Sequence, residues 1–357
     1  MMERTIKRRM SKRIKIGMTL VLLWSCAVSA LIPAESASAA PIDPIKTKAI
    51  YVREDVVVAI KTDGTLAIWG NLNQQRNIPA GLTDVVSVAI GKSHVLALQG
   101  NGNVVGWGDN MYGQRSIPAE ATNVIAIAAA NDHSLALRAD GTVVSWGRDA
   151  HNVITNLPAD LTDVVAIATG LGHSLALKRN GSIVGWGNDP YGNLNVPAMA
   201  TNVVAIASSD AHSLALKEDG TVVAWGVNGD GQATVPAGLT NVIAIAAGDN
   251  TSLAVKSDGT VVAWGDNERG QADVPAGLTQ VTSVAGGRSH SLALKSDGTL
   301  VKWGGTNNYF DVPGSANLNG LTVDEGVLSP SFTSSGTSYT QYVGASVTGF
   351  RLTARLS

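Results

Sequence analysis

The sequence has almost no cysteine and few aromatic side chains. Cys26 is the only cysteine among 357 residues, and Phe, Trp and Tyr together make up 5% of the chain. A single thiol excludes an intramolecular disulfide framework. It also lies in an N-terminal segment that we expect to be removed, which would leave no thiolate nucleophile. A hydrophobic core alone must therefore hold the fold together, and the rest of the chain is long enough to form one.

Charged residues are also scarce, and their balance changes along the chain. The whole sequence has 26 Lys and Arg against 28 Asp and Glu. Residues 1–39 contain seven of the basic and two of the acidic residues, so residues 40–357 carry 19 and 26, a net charge of −7. This acidic balance argues against a nucleic-acid partner, which would require a basic face.

The N-terminus has the pattern of an export signal. Basic residues occur between positions 4 and 15, and an apolar run follows over residues 16–32. This run is shorter than a typical membrane span, and Ala37 and Ala39 then supply an A-x-A cleavage site. We predict a secretory signal peptide over residues 1–39 and a secreted or cell-surface protein without a membrane span. The rival is a lipoprotein signal ending at Cys26, but "LWSC" has Trp where a small residue is expected.

Three independent markers divide the chain into seven repeats of about 39 residues. A Trp-Gly pair, a proline and an Asp-Gly or Asn-Gly pair each recur seven times. The tryptophans are Trp69, Trp107, Trp146, Trp186, Trp225, Trp264 and Trp303. The prolines are Pro79, Pro118, Pro158, Pro197, Pro236, Pro275 and Pro313.

Each repeat has the pattern of short β-strands. Segments such as "HSLALK" and "TVVAWG" flank the Asp/Asn-Gly pair, which favours a type I′ hairpin turn. "NVIAIA" predicts an earlier strand, and "QATVPA" a short outer strand, whose proline suits a sheet edge. Four strands per repeat predict an all-β fold, a seven-bladed β-propeller over residues 45–313. A parallel β-helix is the alternative, although its coils would not need seven tight hairpin turns.

The repeat resembles that of the regulator-of-chromosome-condensation family in its short bacterial form. The resemblance rests on "HSLALKSDGTLVKWG" and the Val-Pro connector that follows it, and it covers residues 45–313. It implies a seven-bladed propeller. Eukaryotic members of that family exchange guanine nucleotide on a nuclear GTPase and bind chromatin, but the predicted secreted, acidic setting of this chain does not favour either activity.

Within that family, the repeat also resembles that of the secreted β-lactamase-inhibitory proteins of type II, which share the 40-residue length, the Trp-Gly pair and the "VPA" connector. In those inhibitors, aromatic residues in the turn before the "HSLAL" strand pack onto the enzyme. None of the six corresponding turns of the "HSLAL"-type repeats is aromatic here. Because interface hot spots favour Trp, Tyr and Arg, we expect weak inhibition at most.

The C-terminal segment, residues 317–357, does not continue the repeat. It resembles the first part of a bacterial cadherin-like β-sandwich, with Leu321, Leu328, Phe332, Tyr339 and Val347 at the matching apolar positions. A sandwich of this kind needs about 90–100 residues. We therefore expect a short β segment that does not fold as an independent domain.

Residues that the repeat does not fix are the candidates for partner binding, because variable loops on a rigid scaffold commonly carry function. The turns before the "HSLAL" strands should cluster on one face of the propeller, and two tyrosines vary in the loops after Trp-Gly. The candidates are Lys92, Asn131, Asp132, Leu171, Asp210, Asp249, Asn250, Arg288, Tyr112 and Tyr191.

Other polar repeats have a structural explanation that we prefer. His94, His133, His173, His212 and His290 share one repeat position, which suggests either a ring of metal ligands or one structural hydrogen bond per blade. "GDNMYGQ" and "GDNERGQ" suggest calcium loops, but they lack the ligand spacing of an EF-hand and fit turn chemistry. We predict no metal site and no cofactor.

The sequence favours a monomeric, non-enzymatic propeller that binds an unknown protein or glycan. Two alternatives stay open. One is an inhibitor of a secreted hydrolase. The other is an enzyme that uses carboxylates at the propeller mouth, for which Asp132, Asp210 and Asp249 are the candidates.

Overall fold

The structure of the protein is a computed structural model. It describes residues 47–305, apart from 71–74, 76, 189–190 and 211, and the backbone of four short strands between 321 and 354. The predicted signal peptide, residues 1–39, lies outside the described residues. No α-helix occurs in the described parts of the chain, and consequently they contain no helix that could cross a membrane.

Twenty-one strands form seven antiparallel sheets, each built from three consecutive strands in chain order. The sheets, here called blades 1 to 7, contain β1 (Thr47–Arg53), β2 (Val56–Lys61) and β3 (Leu66–Gly70); β4 (Val85–Ile90), β5 (His94–Gln99) and β6 (Val104–Gly108); β7 (Val124–Ala130), β8 (His133–Arg138) and β9 (Val143–Gly147); β10 (Val164–Thr169), β11 (His173–Lys178) and β12 (Ile183–Gly187); β13 (Val203–Ser208), β14 (His212–Lys217) and β15 (Val222–Gly226); β16 (Val242–Ala247), β17 (Thr251–Lys256) and β18 (Val261–Gly265); and β19 (Val281–Gly286), β20 (His290–Lys295) and β21 (Leu300–Gly304).

The seven blades close into a ring. The first strand of each blade contacts the first strand of the next, and β1 contacts both β4 and β19. At the junction of blades 7 and 1, the Arg288 amide donates to the Glu54 carbonyl at 2.9 Å. These contacts confirm the predicted seven-bladed propeller over the alternative β-helix.

The predicted fourth strand of each blade is wrong for the described residues. In blade 5, the segment Gln232–Ala237 forms turns and irregular structure. Its amides are used locally, because Ala233 N donates to Asn228 Oδ1 at 2.9 Å and Thr234 N donates to the Gly231 carbonyl at 2.9 Å. Pro236 has no amide hydrogen to offer. Too few unpaired backbone N–H groups therefore remain in this segment for the hydrogen-bond ladder of a fourth strand.

The core lies between adjacent blades and alternates small and large side chains. In blade 5, Leu214 and Ala215 are both fully buried on the middle strand, and Ile206 is fully buried on the first. The middle strands place these side chains alternately on the two faces of the sheet, so each blade packs against both neighbours. This is the packing expected of adjacent propeller blades.

The repeated tryptophans join each blade to the connector that precedes it. Trp146 is 6% exposed, and its indole N–H donates to the Gln114 carbonyl at 2.9 Å. Trp107, Trp186, Trp225, Trp264 and Trp303 make the same bond to the corresponding connector carbonyl at 2.7–2.9 Å. Trp69 Nε1 has no hydrogen-bond acceptor among the described residues. The six bonded tryptophans therefore anchor their blades to the connectors from the preceding blades.

The C-terminal segment pairs four short strands into two separate two-stranded sheets. β22 (Leu321–Val323) pairs with β25 (Leu352–Ala354), and β23 (Leu328–Ser329) pairs with β24 (Thr340–Gln341), both antiparallel. Both are backbone pairings among the described residues of the segment.

Candidate interaction surface

Two sets of variable loops meet on one face of the ring. In each blade the first strand ends, the second begins and the third ends on the same side, because the strands are antiparallel. Backbone hydrogen bonds join the two sets, for example Asp109 N to the Ser93 carbonyl and Arg148 N to the Asp132 carbonyl, each at 2.8 Å. We call this side the loop face. It consists of the turns between the first and second strands and the loops after Trp-Gly.

All ten candidate residues lie on the loop face. Tyr112 and Tyr191 lie in loops after Trp-Gly and are 40% and 44% exposed. The other eight lie in the turns between first and second strands, in blades 2 to 7: Lys92, Asn131, Asp132, Leu171, Asp210, Asp249, Asn250 and Arg288. The expectation that these turns share one face is therefore met, whereas their role in binding stays a prediction.

Arg53 joins blades on opposite sides of the ring, a role that the sequence pattern did not predict. This side chain is 5% exposed at the end of β1. Its Nη2 donates to Asn131 Oδ1 of blade 3 at 3.2 Å and forms an ion pair with Asp210 of blade 5. Its partners lie 78 and 157 residues away along the chain.

A signal for Arg53 was present in the repeat alignment. The six equivalent positions contain only Gly, Ala or Ser: Gly91, Ala130, Gly170, Ser209, Gly248 and Gly287. At Gly91 a Cβ would lie 2.2 Å from the His94 ring. Blade 1 has Val56 at the position of His94 in blade 2. No imidazole ring therefore fills the space beside position 53. Arg53, a large charged residue at a position that is otherwise Gly, Ala or Ser, thus occurs in a repeat that lacks the histidine.

The three carboxylates considered for catalysis are each held by an arginine. Asp132 Oδ2 lies 3.3 Å from Arg148 Nη1, and Asp249 Oδ2 lies 3.8 Å from Arg288 Nε. Asp210 is paired with Arg53. Burial, followed by the negative charge of Asp210, raises the pKa of Asp249 to about 6. The centre of the loop face is thus a network of opposite charges.

A small polar cavity opens beside this network. It measures about 150 Å³ and lies between blades 7, 1 and 2, where Glu54, Lys92, Ser93 and Arg288 line it together with Arg53. Cations and carboxylates both line it, and no aromatic side chain does. The cavity therefore contributes polar contacts to the loop face rather than an apolar anchor.

Blades 2 and 3 carry a preorganised aromatic–arginine pair. The Arg148 guanidinium lies 4.5 Å from the centroid of the Tyr112 ring, a cation–π distance, while Asp132 holds the same guanidinium. Met111, beside Tyr112, is 77% exposed. Tyr, Arg and Met are enriched at the centres of protein interfaces. This cluster, Met111–Tyr112–Asp132–Arg148, has the composition of a binding hot spot.

Four of the five repeated histidines contact a hydroxyl group of the next blade. Nε2 of His94 lies 2.9 Å from Ser134 Oγ of the next blade, and Nε2 of His212 lies 2.9 Å from Ser252 Oγ. His133 and His173 contact hydroxyls of Thr169 and Ser208 in the same way. For these four histidines, the hydroxyl contacts support the structural interpretation of one hydrogen bond per blade. The described residues contain no cluster of three or more metal-ligating side chains.

The "GDNMYGQ" and "GDNERGQ" loops use their oxygens for turn hydrogen bonds. Asp266 Oδ2 accepts from Gln271 Nε2 at 2.7 Å, and Asn267 Oδ1 accepts from Ala272 N at 2.9 Å. Asp109 and Gln114 form the equivalent bond in blade 2 at 2.8 Å. These bonds support the turn interpretation that the sequence favoured over calcium binding.

Comparison with known protein families identifies the repeat. Six segments match the family model of the regulator of chromosome condensation (RCC1) repeat, and together they span half of the chain. They are residues 85–114, 124–152, 164–193, 203–232, 242–271 and 281–310. No curated protein matches the chain.

Solved structures share the fold at low sequence identity. Prp20p from Saccharomyces cerevisiae, described with its binding properties to Gsp1p and histones, is 23% identical with a TM-score of 0.55, over 63% of this chain and 73% of that one. The ectodomain of the receptor kinase CR4 from Physcomitrella patens is 20% identical with a TM-score of 0.59, over 71% and 73%. That of the Arabidopsis thaliana receptor kinase ACR4 is 18% identical with a TM-score of 0.57, over 72% and 97%. With six matching repeats and this shared propeller architecture, the chain belongs to the regulator of chromosome condensation (RCC1) repeat family.

Proposed function

We propose that the protein is a secreted, non-enzymatic binding propeller that engages a protein partner through its loop face. The Met111–Tyr112–Asp132–Arg148 cluster carries this proposal. The ion pair and the cation–π contact order the Arg148 side chain before any partner arrives. A side chain that is already ordered loses less conformational entropy on binding.

The fold supports the same conclusion. Propellers of this family often mediate protein binding, and Prp20p is described as binding Gsp1p and histones. Variable loops on a closed ring give a rigid platform whose specificity can change without changing the core. Secretion rests on the basic N-terminus, the apolar run that follows it and the Ala37-Ser-Ala39 site.

The test is an affinity capture with matched variants of residues 40–357. Wild-type protein, Tyr112→Ala, Arg148→Ala and the control Lys295→Ala, which lies away from the loop face, would each be incubated with surface and medium fractions of the producing organism. We expect at least one protein to be captured by the wild type and the control, and lost by both loop-face variants. Retention of every captured protein by Tyr112→Ala and Arg148→Ala would overturn the proposal.

A glycan partner is the other form of this proposal, and treatment of the captured material distinguishes the two. If the partner is a protein, protease treatment of the fractions abolishes capture and glycosidase treatment does not. The opposite result would assign the loop face to a glycan.

Inhibition of a secreted hydrolase is the second candidate. The turns before the middle strands lack aromatic residues, and Tyr112 lies instead in a loop after Trp-Gly. We expect weak or no inhibition of class A β-lactamases, measured by nitrocefin hydrolysis with purified residues 40–357. Inhibition at nanomolar concentration would favour the inhibitor role.

A further inference from the structure

On the side opposite the loop face, one hairpin differs in charge from the other six. The residue that ends the middle strand is Lys or Arg in six of the seven repeats, and Asp follows two residues later in five of them. Ion pairs join the two in blades 3, 5, 6 and 7, at 3.0–3.5 Å. Blade 2 has Gln99 and Asn101, and so neither charge. Blade 4 keeps the cation, Lys178, but has Asn180 in place of the acid.

The hydrogen bonds of blade 5 show what Asn180 changes. Asp219 Oδ1 accepts from the Thr221 amide at 2.9 Å, while its Oδ2 accepts from Lys217 Nζ at 3.0 Å. In blade 4, Asn180 Oδ1 accepts from Ser182 N at 3.0 Å and from Ser182 Oγ at 2.7 Å. These bonds fix the orientation of the amide, so Nδ2 lies where the five hairpins with aspartate have Oδ2. A donor has replaced the acceptor.

Blade 4 therefore presents donors that no acceptor of the described chain engages. The side chains of Lys178 and Arg179 form no ion pair or hydrogen bond within the described residues. They line a cavity of about 310 Å³ together with Asn180 and Asp163. Two cations against one carboxylate leave this cavity with a net charge of +1.

We propose that the blade 4 hairpin binds a small tetrahedral dianion of the phosphate type. Its oxygens accept from Asn180 Nδ2 and from Lys178 Nζ, whose counterpart in blade 5, Lys217, is instead paired with Asp219. Arg179 supplies a second positive charge, which favours a dianion over a carboxylate. The site lies on the side opposite the loop face, so the experiment on it tests a different surface from that of the proposed function.

The experiment is a titration of ¹⁵N-labelled residues 40–357 with sodium phosphate at pH 7.5 and constant ionic strength. We expect saturable shifts of the amide resonances of Arg179, Asn180 and Gly181, and none in the blade 5 hairpin at Asp219 and Gly220. Asn180→Asp gives blade 4 the cation–aspartate arrangement of blades 3, 5, 6 and 7 and should weaken phosphate binding by at least about tenfold. Lys178→Gln should weaken it as well.

A reciprocal variant and a second anion make the test decisive. Asp219→Asn gives blade 5 the blade 4 arrangement with Glu218 in place of Arg179, and should create a weaker response there. Acetate should shift the blade 4 amides less than phosphate does. Equal shifts at all hairpins, no saturable response, or binding that survives Asn180→Asp would overturn the site. A stronger response to acetate would overturn the assignment of a dianion.

Discussion

At the scale of single residues, the buried histidines couple the fold to pH. Burial lowers the pKa of His94, His133 and His290 to about 3, and that of His212 to about 4. Their rings are neutral in the folded protein throughout the mildly acidic range, because protonation would place a charge between two blades. The unfolded chain has no such restriction and binds protons at the ordinary value of 6.5.

We therefore predict that the free energy of unfolding falls as the pH falls from about 6.5 towards 4. Above 6.5 both states leave these rings neutral and their contribution is constant. Below it only the unfolded state gains protons, and each such histidine contributes about 1.4 kcal/mol per pH unit. His94→Thr, which copies Thr251 of blade 6, should reduce the slope by about that amount. Urea unfolding of both proteins at pH 7.5, 6.0 and 5.0 measures how the free energy of unfolding depends on pH.

Ser134→Ala is the matched control for the histidine variant. It removes the hydroxyl 2.9 Å from His94 Nε2 but keeps the buried ring. We expect a loss of about 1 kcal/mol at every pH, with the slope preserved. An unchanged slope in His94→Thr would contradict the assignment of the pH dependence to the buried ring.

At the scale of the structural element, the hairpins link each blade to the next. The carbonyl of the hairpin glycine accepts from the first amide of the following blade, as in Val242 N to the Gly220 carbonyl at 3.0 Å. Gly220 has a φ of +77°, and a Cβ there would lie 3.2 Å from the backbone of Asn241. The turn glycine thus meets both a conformational and a steric requirement.

Gly238 separates these two requirements, because it has the same φ of +77° but nothing within 4 Å of a Cβ. We predict that Gly238→Ala costs about 1 kcal/mol, for the left-handed conformation alone. Gly220→Ala should cost at least about 1 kcal/mol more, because Asn241 must move and the bond between blades weakens. Urea unfolding of both variants gives the comparison, and equal losses would show that the contact with Asn241 is unimportant.

At the scale of the whole molecule, Arg53 ties together blades 1, 3 and 5 at the centre of the loop face. We predict that Arg53→Met lowers the free energy of unfolding by about 3 kcal/mol, because the buried pair with Asp210 is broken. The double variant Arg53→Met/Asp210→Asn should lose less than the sum of the single losses. Chemical unfolding of the three variants tests this coupling.

Arg288→Met is the control for that comparison. Its side chain is 66% exposed and lies 3.8 Å from Asp249, so we expect a loss below about 1 kcal/mol. A similar loss for Arg53→Met and Arg288→Met would show that the connection across the ring contributes little to stability.

The C-terminal segment gives a second prediction at this scale. The described residues of 317–357 form two pairs of short strands, whereas a sandwich packs two complete sheets face to face. We expect deletion of 317–357 to leave the melting temperature of the propeller nearly unchanged, as measured by calorimetry on both chains. A decrease of several degrees would show that the segment is part of the propeller core.

Local chemistry explains why so much of the fold could be predicted. Asp-Gly and Asn-Gly turns, β-branched strands and the Trp-Gly spacing act over a few residues, and the chain repeats them seven times. The prediction of four strands per blade was wrong because the apolar pattern of "QATVPA" does not show how its amides are used. Oxygens of the neighbouring turn, such as Asn228 Oδ1, accept hydrogen bonds from these amides, so they are not available to a strand partner.

Contacts between distant repeats were decided only by the tertiary structure. The sequence by itself determined seven repeats, their hairpins and which loops vary. It did not reveal that Arg53 meets Asp210, 157 residues away, or that Arg148 lies against Tyr112. The physical reason is that closing the ring brings together side chains whose spacing along the chain has no period, so no local pattern records their contact.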